Sequence, residues 1–391
     1  MKVSKEFLET FKDETLLKEK RISIDPVLKL VKSFFQTNNI VLYGGTAMNM
    51  YLPKKMQFYD KLDVPDYDGY SEKAEKMSVE LIETLKKNKF EYLFVKRAIH
   101  DGTFKVSWEF KDVADITQLN TKEYTKVLQT STTKGGLRIV DVNLLKSNAY
   151  VELCMPKSAM FRWSKVFERL ELLEKAQPLK CNMNLNTLFT NEVIPDTVKH
   201  IKNVVEMYVK SNNYPRLGLS AVSHYTNNAD VVNTDFFLTE ILSETIYETV
   251  NNVKKLVRKF KDLEYTISPI SDTQLVPNNI DITVYYENKP YKLISIYDAT
   301  RSCYSVERNN KGNVFTSIFL LLHIYYYKLF MCTFKKETLK YKCIIIALLE
   351  NIKKESFTTL CYGYNKSISA IMKSRSKKNI PVVLVKHVPK K

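Results

Sequence analysis

Glycine is scarce in this chain, with 9 in 391 residues, and no GxxxxGK[ST] stretch occurs. That disfavours a Walker-type phosphate loop and the ATPases built on it. The six cysteines (154, 181, 303, 332, 343 and 361) form no CxxC pair and no Cys/His cluster. Neither a structural zinc site nor a disulfide framework follows, so reduced thiols in a reducing compartment are expected. The opening "MKVSKEFLETFKDETLLKEK" is charged throughout and lacks the apolar core of a secretory signal. One apolar stretch suggests a membrane span, "VFTSIFLLLHIYYYKLFM" at 314–331, but it contains His323 and Lys328. A buried helix is the better reading. The sequence therefore predicts a soluble, intracellular protein without a membrane partner.

What the chain has in excess is positive charge. Sixty Lys and Arg face 43 Asp and Glu, a net charge of +17. An excess of this size points to a polyanionic partner, nucleic acid before an anionic membrane. Hydrophobic residues at 45% and aromatics at 12% make a globular composition, and the length allows two or three domains.

Along the chain, residues 1–35 read as a charged, amphipathic helical segment. Ile40 to Tyr43 form a short buried strand, Gly44 and Gly45 a tight turn, and Thr46 the start of a helix. A second helix follows "VPDYDGY" (64–70). Ser71 suits its N-terminus, Ala74, Met77, Leu81 and Leu85 line one face, and Lys86, Lys87 and Lys89 gather at its end. Two strand patterns then flank Asp101-Gly102, a hairpin signal, and in the second Phe104, Val106, Trp108 and Phe110 alternate with polar residues. The stretch from about 156 to 210 is helical.

The second half repeats this order. "GLSAVSHYTNN" echoes "GGTAMNMYLPK", an acidic segment leads into a helix ending in Lys and Arg, and a hairpin turning at Asn288-Lys289 follows. In this copy Leu219 replaces Gly45, Asp235 is all that remains of the acidic pair, and Asp298-Ala299-Thr300 aligns with Asp115-Ile116-Thr117. The expected organisation is an N-terminal helical segment (1–35), a catalytic domain (36–150), a helical connection (151–210), a degenerate second copy (211–372) and a basic tail (373–391). The fold class is α+β.

The chemistry centres on Asp66 and Asp68. Residues i and i+2 of a strand share a face, about 7 Å apart along the backbone. Two carboxylates so placed repel unless a cation lies between them, and Mg²⁺ with oxygen ligands is the natural occupant. A two-metal site needs a third carboxylate. Asp115, embedded in the apolar pattern "VADIT", is the leading candidate, with Asp112, Asp60, Asp63 and Asp141 as competitors. On a regular strand Asp112 would face away from Asp115. Gly44 and Gly45, between strand and helix, let backbone N–H groups approach a phosphate, and Thr46 can add a hydroxyl.

Glycine pair, DxD strand and a third aspartate after a hairpin together resemble the polymerase-β-like nucleotidyltransferase superfamily. "GGTAMNMYLP", "FYDKLDVPDYDGYS", "FKVSWEFKDVADIT" and "FRWSKVFERLELL" are similar to the poly(A) polymerase catalytic subunits of large cytoplasmic DNA viruses, the giant-virus, asfarvirus and poxvirus group. The resemblance covers roughly residues 40 to 330 and implies a second, inactive nucleotidyltransferase-like domain. It implies that Gly44 and Gly45 hold the ATP triphosphate, that Asp66 and Asp68 bind two ions (Mg²⁺ or Mn²⁺), and that Asp115 completes the site beside the RNA 3′-hydroxyl. Lys157, Arg162 and Lys165 could reach phosphates or RNA, or simply form a solvated basic face.

The implied activity is template-independent addition of AMP from ATP to RNA 3′ ends. Two readings stand beside it: nucleotidyl transfer to another acceptor (tRNA, a small molecule or a protein), and a non-catalytic RNA-binding or processivity protein on the same fold. The partners implied are RNA, ATP, and a second copy or a separate processivity subunit. The place implied is the host cytoplasm, a viral factory or the virion.

Overall fold

The structure, a computed structural model, describes residues 24–59, 63, 65–98, 100–156, 160–183, 194–227, 238–300, 302–352 and 361–362. Most of the predicted N-terminal segment, Asp60, Lys157, Asp235 and the basic tail lie outside the described residues. The chain divides into two compact units, one of residues 1–145, 175–177 and 371–391, the other of 146–174 and 178–370.

The first unit begins with helix α1 (24–37). Its order is then β1 (Val41–Tyr43), α2 (Gly44–Tyr51), β2 (Tyr67–Ser71), α3 (Ala74–Lys87), β3 (Leu93–Arg97), β4 (Thr103–Trp108), β5 (Lys111–Gln118), α4 (Thr121–Thr130), β6 (Thr132–Lys134), β7 (Leu137–Ile139) and the start of α5 (Val142–Leu153). The strands make one mixed sheet ordered β3-β4-β5-β2-β1-β7-β6. β2 runs parallel to β5, and β4 antiparallel to it. α3 buries Leu81, Ile82 and Leu85 and packs on β3, β4 and β5, where Phe104, Val106 and Ile116 are buried. The expected alternation in β4 therefore holds up to Trp108. Phe110, expected inside, stands 89% exposed at the β4–β5 turn. The chain reverses there through Glu109 and Phe110, both left-handed, so the face alternation ends at Trp108, two residues before Phe110.

The second unit continues with α6 (Trp163–Ala176), α7 (Asp196–Ser211), α8 (Gly218–Thr226), β8 (Thr239–Ser243), α9 (Ile246–Val257), β9 (Glu264–Ile267), β10 (Asn279–Tyr286), β11 (Lys289–Asp298), β12 (Tyr304–Arg308), β13 (Val314–Thr316), α10 (Ile318–Met331), α11 (Lys335–Leu349) and β14 (Cys361–Tyr362). One sheet is ordered β8-β11-β10-β9 and another β13-β12-β14. Arg216 bridges them, antiparallel to Ile241 on β8 and parallel to Phe315 on β13. With Arg216 in the place of β1, the strand order of the first unit recurs. α7 and α9 bury Val198, Ile201, Val205, Val250 and Val253 against this sheet.

α10 is the buried helix that the sequence suggested, and no helix among the described residues is long and apolar enough to cross a membrane. The cysteine expectation is corrected. Cys181 and Cys343 form a disulfide, with Cα atoms 5.2 Å apart across 162 residues, while Cys154 and Cys332 are free. No spacing rule could show this pair, because tertiary packing alone brings the chain after α6 to α11.

Candidate active site

The site is built on one row of residues crossing five strands in register: Tyr43 on β1, Asp68 on β2, Asp115 on β5, Lys105 on β4 and Lys96 on β3. Directly opposed residues share a face, so Asp68 and Asp115 stand side by side on adjacent parallel strands. Asp66 lies two residues before Asp68, in the half-buried approach to β2. Its charge reaches Asp115 and adds to the upward shift of that carboxyl.

Gly44 determines how close the backbone comes. It has φ +70°, a conformation that glycine adopts without strain, and a Cβ there would overlap the Asp68 carboxylate. The helix opens at Gly44, two residues earlier than predicted, so Gly44 and Gly45 form the first turn of α2, whose backbone N–H groups lack partners within the helix. Thr46 follows in that turn, and its hydroxyl donates to the Asp66 carbonyl at 3.1 Å, which pins the approach to β2.

Asp115 is largely buried. One oxygen, Oδ2, meets Lys105 Nζ at 2.7 Å, and the other, Oδ1, is buried with no hydrogen-bond partner among the described residues. Burial pushes the Asp115 carboxyl above its ordinary range; Lys105 opposes this, and Asp66 and Asp112 reinforce it. Burial alone would lower the Lys105 ammonium, but Asp115 and Asp112 hold it above its usual value.

Asp112 departs from the sequence expectation. Val106 pairs with Ala114 but Ser107 with Asp112, so Val113 is an extra residue, a β-bulge. The bulge turns Asp112 toward the Asp115 face, where it accepts from Ser107 at 2.6 Å and Lys105 at 3.1 Å. Burial works against its charge, yet Ser107 and Lys105 hold its carboxyl below the usual range. Asp112 is thus beside the site but already paired. The remaining competitors are elsewhere: Asp63 is exposed, and Asp141 accepts from the Asn143 N–H at the start of α5. Arg162, in a 3₁₀ turn 3.9 Å from Glu152, and Lys165 on α6 are exposed and belong to the second unit.

Residue-type reasoning missed Lys105 and Tyr43. Lys105 could have been found as the cation at the polar phase of β4. Tyr43, half-buried beside Asp68, bonds Thr117 Oγ1 at 2.8 Å and stacks on Tyr70. Burial and then the Asp68 charge push its phenol well above its ordinary value, so it stays neutral.

Among the described residues no three His, Cys, Asp or Glu side chains are gathered as a metal cage. The donor set nevertheless fits a hard divalent cation: oxygen ligands, adjacent carboxylates, and a buried oxygen at Asp115 with no other partner.

Residues 29–159 match the family model of the poly(A) polymerase catalytic subunit. The match contains the glycine turn, Asp66, Asp68 and Asp115. A protein named as a poly(A) polymerase catalytic subunit in African swine fever virus is 26% identical over 165 residues, 40% of this chain and 34% of that protein. Its counterpart in Acanthamoeba polyphaga mimivirus is 23% identical over 303 residues, 71% of this chain and 51% of that protein. The alignments thus span between a third and a half of these relatives. The crystal structure of the Megavirus polyadenylate synthase superposes with a TM-score of 0.75, covering 96% of this chain and 83% of that one at 18% identity. The fold is therefore nucleotidyltransferase-like.

Proposed function

We propose that this chain is a template-independent poly(A) polymerase that transfers AMP from ATP to RNA 3′ ends. The observation carrying the reading is the register of Asp68 with Asp115, with Gly44 closed onto Asp68 and one Asp115 oxygen left for a ligand. The family match over that segment and the net charge of +17 support the same reading.

In this proposal Asp66, Asp68 and Asp115 hold two divalent ions, Mg²⁺ or Mn²⁺. When bound, such ions supply Lewis acidity, making the RNA 3′-hydroxyl a better nucleophile and neutralising the pyrophosphate. The chain's own part is positioning. The first-turn N–H groups of Gly44 and Gly45 receive triphosphate oxygens, as helix N-termini do. Thr46 keeps the Asp66 backbone in place, and Lys105 fixes one oxygen of Asp115 so that the other faces the site. Neutral Tyr43 fills the space beside Asp68 without adding an anion. The names of the relatives, catalytic subunits, favour a second polypeptide in the working enzyme, whether another copy or a processivity subunit. Their viral sources favour a viral protein acting in the host cytoplasm or virion.

The test is incubation with Mg²⁺, a labelled RNA and each nucleoside triphosphate in turn. ATP alone should give long products, and Asp66→Ala/Asp68→Ala should remove them by on the order of 10³-fold or more. RNA binding without any extension would support a binding protein instead. Transfer to tRNA, a small molecule or a protein, with RNA ends untouched, would support a different acceptor.

A further inference from the structure

The face of the first sheet that carries Asp68 and Asp115 continues beyond the carboxylates. From Asp115 the row passes through Lys105 to Lys96 on the edge strand β3. Two residues before Lys96, Phe94 lies on the same face. Its ring is 5.8 Å from that of Phe110 at the β4–β5 turn, and Lys96 Nζ lies 5.7 Å from the Phe94 ring centroid. α3 covers the opposite face of these strands, so the aromatic pair is on the side that the helix leaves open.

Folding does not explain Phe110. It is 89% exposed, so it gains little from burial. It is also left-handed, with φ +65°, after Glu109 at +46°. Two-residue turns of this kind favour Asn-Gly, and a bulky residue there is a conformational outlier. Such outliers are a reason to look for function.

The second unit supplies the control. Its β10–β11 turn has the same two-residue form, with Glu287 at φ +49° and Asn288 at +63°. The register places Thr266 where the first unit has Phe94, and Ser268 follows β9 where it has Lys96. That turn therefore forms with Glu287-Asn288 in place of Glu109-Phe110, and at the sheet edge Thr266 meets the Tyr285 hydroxyl rather than an aromatic ring pair. The exposed phenylalanine at the turn, and its ring contact with Phe94, belong to the unit that carries Asp66, Asp68 and Asp115.

We propose that Phe94, Phe110 and Lys96 form a stacking platform for single-stranded RNA just upstream of the 3′ end seated at Asp115. The inference rests on the adenylation reading for the position of that end. The turn lies about 15 Å from Asp115 along β5, a few nucleotides of single strand. Aromatic stacking tolerates any base, because every base has a π-face, and a nearby cation suits the backbone. That matches a primer whose last residues change as it is extended.

The experiment compares wild type, Phe94→Ala/Phe110→Ala and Phe110→Trp, with thermal melts to confirm folding. Fluorescence anisotropy with a labelled oligoadenylate measures binding, and steady-state rates give KM for ATP. The double variant should bind oligoadenylate at least about tenfold more weakly, with KM for ATP unchanged, and Phe110→Trp should bind like wild type. Wild-type affinity in a folded double variant overturns the proposal. Unchanged RNA binding together with loss of self-association in sedimentation would make the patch a protein interface and also overturn it. Should wild type bind oligoadenylate and the variant not, yet wild type add no AMP, the adenylation reading fails and the platform stands.

Discussion

The two units place different chemistry on one scaffold. Gly44 and Gly218 both adopt positive φ, at +70° and +59°, and each comes too close to a carboxylate for a Cβ to fit, Asp68 in the first and Glu240 in the second. β8 pairs in parallel with β11, opposing Glu240 to Ser295, as Asp68 opposes Asp115. The bulge recurs as well, since Ile282 pairs with Ile294 and Thr283 with Lys292. Around it the charges are exchanged. Lys105 pairs with Asp112 in one unit, and Asp281 with Lys292 at 2.6 Å in the other.

The difference lies in what faces the central carboxylate. Glu240 Oε1 receives Lys328 Nζ at 2.9 Å and the Tyr297 hydroxyl at 3.1 Å, so an internal ammonium neutralises it. Burial alone would lower the Lys328 ammonium, but Glu240, Tyr297 and Tyr325 hold it well above its ordinary value. In the first unit the neighbour of Asp68 is another acid, and one oxygen of that acid has no hydrogen-bond partner among the described residues. The scaffold thus requires a glycine against a carboxylate. What differs between the units is the charge opposite that carboxylate, an ammonium in the second and another acid in the first.

The largest expected effect separates the two carboxylates. Glu240→Gln or Lys328→Met leaves a partner without its counter-charge, and Lys328 keeps 27% of its side chain exposed. Each should therefore cost about 3 kcal/mol in urea unfolding, at the low end for buried pairs, with AMP transfer per folded molecule unchanged. Asp68→Asn should do the reverse, abolishing transfer without lowering the unfolding midpoint. If Glu240→Gln removed activity in a stable protein, the second unit would not be degenerate.

Next come the glycines. Gly44→Ala and Gly218→Ala should each destabilise by about 1–2 kcal/mol from backbone strain. Only Gly44→Ala should also lower kcat/KM for ATP, by at least about tenfold, because it moves Asp68. The smallest stability change is expected for Lys105→Asp/Asp112→Lys, which installs the second unit's polarity. It keeps a cross-strand ion pair, so the unfolding free energy should stay within about 1 kcal/mol. Transfer should still fall about tenfold, because Asp115 loses its cation and gains an acidic neighbour. A fully active swap would show that Lys105 does not position Asp115.

Part of this site was readable from the residues in order. A glycine pair where strand meets helix, and an Asp-Tyr-Asp stretch leading into a strand, are local patterns that hold in the folded chain. The recurrence of three elements in the second half was also visible. The alignment of that half was not. It matched Asp298 to Asp115, whereas the register shows Ser295 opposite Glu240 and Asp298 opposite Ser243. Glu240, one residue into β8, is the true counterpart of Asp68. Residue type and register disagree here because the second unit exchanges its charges, with Asp281 and Lys292 where the first has Lys105 and Asp112. The bulge at Val113 hid Asp112 for a similar reason, since one inserted residue reverses the facing that strand periodicity predicts.

By itself the sequence determined the α+β elements, the basic surface charge and the glycine and aspartate motifs, because each depends on neighbours a few residues apart. Tertiary structure alone decided that Lys105 holds Asp115, that Lys328 neutralises Glu240 across 88 residues, and that Cys181 meets Cys343. Strand register and helix packing set those contacts, and neither depends on sequence spacing. Opposed charges meet only once the sheet has chosen which strands lie side by side.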